Sequence, residues 1–160
     1  MKNIIIIVSL MFSLGAFAFN GKPYNENYDP KRDPFSDFKL AQEDAILENK
    51  LILLVLGGDW CVWCHYLGSF ITKNEMMKQS LENTFVVMKV NVSQENNNQE
   101  FLSYLPEHSG YPYFVILNEE GKVVGSQYTG DLEQDKSYSI EEFSKFIETW
   151  NEVNQKKFTP

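Results

Sequence analysis

The stretch Leu51-Ile52-Leu53-Leu54-Val55-Leu56-Gly57-Gly58-Asp59-Trp60-Cys61-Val62-Trp63-Cys64-His65 decides how the rest of the chain is read. Six consecutive apolar residues end at two glycines. A short apolar run bounded by turn residues reads as a strand buried on both faces. The glycines make a tight turn, and Cys61 and Cys64 open the helix that follows. They are the only two cysteines in the chain.

Two chemistries fit those letters. At a helix start, unpaired backbone N–H groups and the positive helix end stabilise a thiolate on Cys61. Cys64, one turn further in, is placed to attack a mixed disulfide on Cys61 and release the partner as a thiol. Cys61-Val62-Trp63-Cys64-His65 also spells Cys-x-x-Cys-His, the attachment signature of c-type haem. In that reading His65 is an axial iron ligand, and Met76, Met77, Met88 or His108 supplies a second. Haem needs an apolar pocket; dithiol chemistry needs a buried strand before the pair and a strand-helix-strand setting. The run Leu51–Leu56 favours the dithiol. Zinc would want four ligands. The chain has just two histidines, His65 and the distant His108, and no second cysteine pair. Neither a metal nor an organic cofactor is expected.

A chain of 160 residues is one domain's worth. Its hydrophobic content of 43% and aromatic content of 14% suffice for a single core. The net charge of −8 argues against nucleic acid or an anionic membrane surface as partner.

The N-terminus reads as an export signal over residues 1–18. Lys2 gives a positive start, Ile4 to Phe12 is almost wholly apolar, and Ala16-Phe17-Ala18 is a small-x-small cleavage site. The apolar stretch is shorter than the roughly 20 residues of a bilayer span. Cleavage after Ala18 is expected, with an uncleaved anchor as the alternative and no membrane span in the mature form. No cysteine lies near the site for lipid attachment. The product would be periplasmic in a Gram-negative source and secreted otherwise. In an oxidising compartment two cysteines usually form a structural disulfide. A bridge across two intervening residues closes too small a loop to constrain the unfolded chain much. Redox exchange is the better reason for the pair.

Outward from the pair, residues 19–35 read as an extended, proline-rich arm, followed by a single domain over residues 36–153. Phe38, Leu40, Ala41, Ala45, Ile46 and Leu47 lie at helical spacing, with Ser36 as N-cap. The helix opened by Cys61 reaches about Ser80, with a break near Thr72 to Asn74; Leu67, Phe70, Ile71 and Met76 face the core. Phe85 to Val92 is a second strand, Gln94 to Gln99 a polar loop, and Glu100 to Leu105 a short helix closed by Pro106. Tyr113 to Leu117 is a third strand. Asn118-Glu119-Glu120-Gly121 turns into a fourth, Lys122 to Thr129, necessarily antiparallel. Gly130 to Ser137 is a loop. A last helix begins near Ser139, with Ile140, Phe143, Phe146, Ile147 and Trp150 on one face, and frays after Asn151. The expected fold class is α/β, a mixed central sheet with helices on both faces.

From Phe38 to Trp150 the chain resembles the thioredoxin-like family. Three features carry this: the strand leading into Trp60-Cys61-Val62-Trp63-Cys64, the segment Gly110-Tyr111-Pro112-Tyr113-Phe114-Val115, and the hairpin Asn118-Glu119-Glu120-Gly121-Lys122. His65 and Phe70 after the pair, with Asn83 to Val92, are similar to exported thioredoxin-like proteins of the seventh thioredoxin subgroup. The resemblance implies a thioredoxin fold with Cys61 as exposed nucleophile and Cys64 as resolving thiol. Pro112 would sit opposite the pair on a cis bond, and a substrate strand would pair with the backbone of Tyr111. Trp60 and Trp63 would form an apolar platform. The chain departs from thioredoxins proper in two ways. Val55 stands where they carry a buried acid, so Lys89 lacks that acid as partner; Asp59 and His65 are candidate substitutes. Val62 and Trp63 replace their Gly-Pro.

The implied activity is that of an exported thiol-disulfide oxidoreductase acting on protein or small-molecule thiols and disulfides. A reductase or electron relay, with a redox partner the sequence does not identify, fits better than a general oxidase. Envelope disulfide handling, cytochrome maturation included, is the expected setting. A c-type haem electron carrier and a non-catalytic binding module using a Tyr111–Tyr113 groove are the alternatives.

Overall fold

The computed structural model describes residues 22–156. The expected signal segment, residues 19–21 of the arm and residues 157–160 lie outside them. Helix α1 (Pro34–Glu48) leads to strand β1 (Leu51–Gly57), helices α2 (Val62–Lys73) and α3 (Glu75–Thr84), and strand β2 (Phe85–Asn91). A single turn α4 (Gln99–Leu102), strands β3 (Tyr113–Leu117) and β4 (Val123–Tyr128), short strands β5 (Glu133–Gln134) and β6 (Ser137–Tyr138), and helix α5 (Ile140–Lys156) complete the order.

The main sheet runs β2-β1-β3-β4. β1 and β2 are parallel, which requires the crossover that α2 and α3 provide. β3 is antiparallel to both β1 and β4. Because every residue of β1 is buried, alternation along it sorts side chains between two cores. Leu51, Leu53 and Val55 face the layer of α2, α3 and α5, with Phe114, Phe143 and Phe146. Ile52, Leu54 and Leu56 face the layer of α1 and α4, with Ala41, Ala45 and Phe101. The structure is therefore a mixed sheet with helices on both faces, as the sequence implied.

Several local expectations are corrected. Asp33, not Ser36, caps α1: its carboxylate accepts from the amides of Phe35 and Ser36, and Pro34 takes the first helical position. Ile46 and Leu47 are 57% and 80% exposed, because the α1 stripe that meets the sheet is Ala41 and Ala45. Met76 points out and Met77 in, at 83% and 7% exposure. The helix break at Asn74, with φ −116° and ψ 83°, resets the helical phase there. On α5, Phe143, Phe146 and Ile147 are buried but Ile140 is exposed, and the helix continues to Lys156 instead of fraying after Asn151. The loop from Gly130 to Ser137 holds the β5–β6 ribbon. Gly121 turns the β3–β4 hairpin at φ 79°, a left-handed conformation that suits glycine.

The arm is ordered where it is described. Tyr24, Asn25 and Tyr28 are buried. Asn25 accepts from the amides of Asn27 and Asp29 and donates to the Asp29 carbonyl. Its own amide donates to the buried carboxylate of Asp37, which also pairs with Arg32. The Lys89 amide donates to the Asn25 carbonyl at 2.8 Å, tying the arm to the edge strand β2.

Candidate active site

Gly57 ends β1 beneath the cysteine pair. A Cβ there would lie 2.5 Å from Cys64 Sγ and 3.0 Å from Tyr28 Oη, so only glycine lets the sulfur and the hydroxyl approach the chain this closely. Cys61 is the N-cap of α2, with its Sγ accepting the Cys64 amide at 3.2 Å. The same amide also donates to the Cys61 carbonyl at 3.1 Å, so this first-turn donor is shared with the sulfur. Cys64 lies a turn inside. Neither cysteine is in a disulfide.

The expectation of an exposed Cys61 is corrected: Cys61 and Cys64 are each 5% exposed. Both belong to the core cluster beneath α2, against which Trp63, Tyr66 and Tyr111 also pack. Position on the helix, not accessibility, separates the two thiols. Burial is the largest cause pushing the Cys64 thiol up to about 12; Cys61 pushes the same way, while the Gly58 backbone and, more weakly, Tyr28 oppose.

The peptide bond Tyr111–Pro112 is cis. The Tyr111 ring meets Trp60 edge-on at 5.7 Å between centroids, which brings the proline loop beside the residue preceding Cys61. Trp60 is 58% exposed and donates from Nε1 to the Val92 carbonyl at 2.6 Å, fixing its ring at the rim. Val62 is also exposed there. Trp63 turns the other way: it packs edge-on against Tyr66 and Tyr138, and its carbonyl accepts from the Tyr138 hydroxyl at 3.4 Å. His65 Nε2 meets the Asp59 carbonyl at 2.6 Å, so the ring braces the turn before the pair. His108 packs against Tyr111 and Tyr113.

Below the pair, Val55 and Lys89 are register partners on adjacent strands. Lys89 Nζ stands over the Tyr28 ring, 4.9 Å from its centroid. Burial lowers the Lys89 pKa. The Tyr28 hydroxyl converges with the Cys64 sulfur over Gly57, and burial, with the nearby Cys64 adding to it, raises the Tyr28 pKa well above the ordinary tyrosine value. Tyr28 was not singled out from the sequence; four aromatic residues in so polar an arm, Phe19, Tyr24, Tyr28 and Phe35, are the signal that it packs on something.

A thiol pair at a helix start, a cis-proline loop beside it and this strand order together match a known pattern. The family model described as Thioredox_DsbH, protein of unknown function, DUF255, covers residues 33–159. The chain belongs to this thioredoxin-like DsbH family. Among solved structures, a disulphide isomerase from Xylella fastidiosa Temecula1 is 26% identical, with a TM-score of 0.64 over 81% of this chain and 97% of that one. A DsbH oxidoreductase is 20% identical, with a TM-score of 0.55 over 72% and 82% of the two chains. The C-terminal domain of Neisseria meningitidis DsbD, in oxidised form, is 20% identical, with a TM-score of 0.50 over 76% and 96%. The last two likenesses bear on fold alone. Among curated proteins there is no match. Here the pair follows the buried strand β1, the setting that dithiol chemistry requires and that a haem-attachment reading does not.

Proposed function

We propose that this DsbH-family protein is an exported thiol-disulfide oxidoreductase that works as a reductase or electron relay. The observation that carries it is the placement of the two sulfurs. Cys61 caps the helix and receives an amide N–H, while Cys64 is buried one turn inside with its thiol pushed up to about 12. Cys61 is the nucleophile and Cys64 the resolving thiol. A dithiol becomes a strong oxidant when its reduced form is stabilised as a thiolate. Burial of Cys64 works against that stabilisation, and this supports a reductase over an oxidase.

Substrates are protein or small-molecule disulfides. An extended segment would pair with the Tyr111 backbone beside Pro112, with Trp60 and Val62 as an apolar rim. Trp63 supports the helix from below, and His65 holds the turn. Among the described residues no helix is long and apolar enough to cross a membrane. The export signal over residues 1–18 would place the protein in the periplasm of a Gram-negative cell, or outside another kind of cell.

The reduced protein is expected to catalyse insulin reduction in the presence of a dithiol donor. Its potential is expected nearer the roughly −270 mV of thioredoxin than the roughly −120 mV of DsbA. A value at the oxidising end would sink the reductase assignment, and no turnover at all would favour a binding module. Role assignment has its own check. At limiting iodoacetamide and neutral pH, mass mapping is expected to find label on Cys61. Cys64, a raised-pKa acid, should become reactive only as pH climbs toward about 12. Preferential labelling of Cys64 at neutral pH would reverse the roles.

A further inference from the structure

The resolving step asks a buried thiol to ionise. Once Cys61 carries a mixed disulfide, Cys64 must lose its proton before its sulfur can attack. β1 brings no ionisable group to that place, since Val55 lies there. The ionisable groups around Cys64 come from four other parts of the chain. Cys61 and Asp59 precede it, His65 follows it, Tyr28 comes from the arm and Lys89 from β2, while Tyr138 of β6 acts on it more weakly. His65 is held on the Asp59 carbonyl. Of these groups outside the pair, Tyr28 is the one whose polar atom converges with the Cys64 sulfur over Gly57: its hydroxyl and that sulfur lie 3.0 Å and 2.5 Å from where a Cβ on Gly57 would stand.

We propose that Tyr28 is a catalytic residue of the resolving step: its hydroxyl donates to the Cys64 sulfur and stabilises the thiolate that attacks Cys61. This rests on the exchange reading of the Cys61–Cys64 pair and adds the group that makes its second half work. Lys89 is the positioning residue. Its ammonium over the Tyr28 ring orients the phenol and places a positive charge near the forming thiolate. Glu26 and Asp59 act in turn on Lys89 and favour its charged form.

The arm is built to present this hydroxyl. Tyr28 is a non-glycine residue at φ 55°, a conformation L-residues seldom take. The three hydrogen bonds of the Asn25 side chain hold the turn around it. The Asn96 side chain fastens the far end through the Pro30 carbonyl at 2.9 Å. A cleft of about 420 Å³ lined by Asn27, Tyr28, Asp59, Cys64, His65 and Lys89 opens behind the sulfur. Water in this cleft takes the proton from Cys64. The Cys64 thiolate then forms the Cys61–Cys64 bond and breaks the bond between Cys61 and the substrate sulfur. The electron pair leaves on the substrate thiolate, which is protonated by solvent. The dithiol is oxidised by two electrons and the substrate disulfide is reduced to two thiols.

The two halves can be timed separately. Reduced protein is mixed in stopped flow with one equivalent of dithiodipyridine, which releases one thione when Cys61 attacks and a second when Cys64 resolves. Tyr28→Phe keeps the ring and the Lys89 contact and removes only the hydroxyl. It is expected to leave the first release within about twofold of wild type and to slow the second about tenfold, the effect of one hydrogen bond to a charged group. Losing a donor to the thiolate raises the Cys64 pKa, so the pH midpoint of the second release should move upward. Lys89→Met, with the hydroxyl in place, should slow the same release by a smaller factor. An unchanged second release in Tyr28→Phe, or both releases slowed alike, would overturn the role of Tyr28. Slowing of the first release by Lys89→Met would do the same. A wild-type protein that gives no second thione would instead overturn the exchange reading itself.

Discussion

Cys61→Ser is expected to bring catalysed insulin reduction down to the rate of the dithiol donor alone. The loss should be about three orders of magnitude or more, because a serine hydroxyl at neutral pH does not replace a thiolate nucleophile. Cys64→Ser should fail differently. Cys61 still caps α2, so the first attack still occurs. Nothing then resolves the intermediate, and the protein should accumulate joined to its substrate. Non-reducing gels read this directly as bands that collapse on adding reductant. Those bands are expected with Cys64→Ser and absent with Cys61→Ser. Bands from Cys61→Ser alone would mean that the inner sulfur attacks first, against its place a turn inside the helix and its raised pKa.

Phe143→Ala is expected to destabilise the protein by about 3–5 kcal/mol, the usual cost of truncating a buried phenylalanine. Phe143 is 0% exposed. Its ring stands 5.2 Å from Phe70 of α2, 6.0 Å from Phe146 of α5, and 6.1 Å from both Phe114 of β3 and Tyr138 of β6. Four elements meet at this one side chain, so the cavity has little room to collapse without moving one of them. Domains of this kind are stable by only about 5–15 kcal/mol, so the change removes a large share of the total. A urea titration should show a lower midpoint at an unchanged slope. A loss under about 1 kcal/mol would mean that α5 repacks over the gap. The effect reaches the site as well. Phe70 lies on the cysteine helix, and the Tyr138 hydroxyl bonds the Trp63 carbonyl, so insulin reduction should fall near the melting range before bulk unfolding.

The sheet and the cysteine helix were legible in the sequence because their signals are local. A run buried on both faces has no alternation to lose, and Leu51–Leu56 reads as a strand wherever it stands. The turn glycines, the cysteine pair and the hairpin at Gly121 each act over a few residues. The segment Gly110-Tyr111-Pro112 was recognisable by resemblance, and its peptide bond is cis. Helix boundaries were less legible, because Asp33-Pro34 and Ser36 both make plausible starts. The Asp33 carboxylate reaches the amides of Phe35 and Ser36, and the helix starts there.

By itself, then, the sequence determined the strand-turn-helix that carries Cys61 and Cys64, the order of the main elements and the hairpin, all of them consequences of short-range periodicity and turn chemistry. Tertiary structure decided what surrounds the sulfurs. It turned Met77 inward and Met76 outward when the break at Asn74 reset the helix. It sent Trp63 toward Tyr138 while leaving Trp60 at the rim. It buried both cysteines equally and brought Tyr28 from the arm to Cys64, 36 positions away in the chain. No periodic pattern encodes such a contact. Its position depends on Asn25, Asp37, Lys89 and Asn96, which come from different elements and meet only when the sheet and its helices are already assembled.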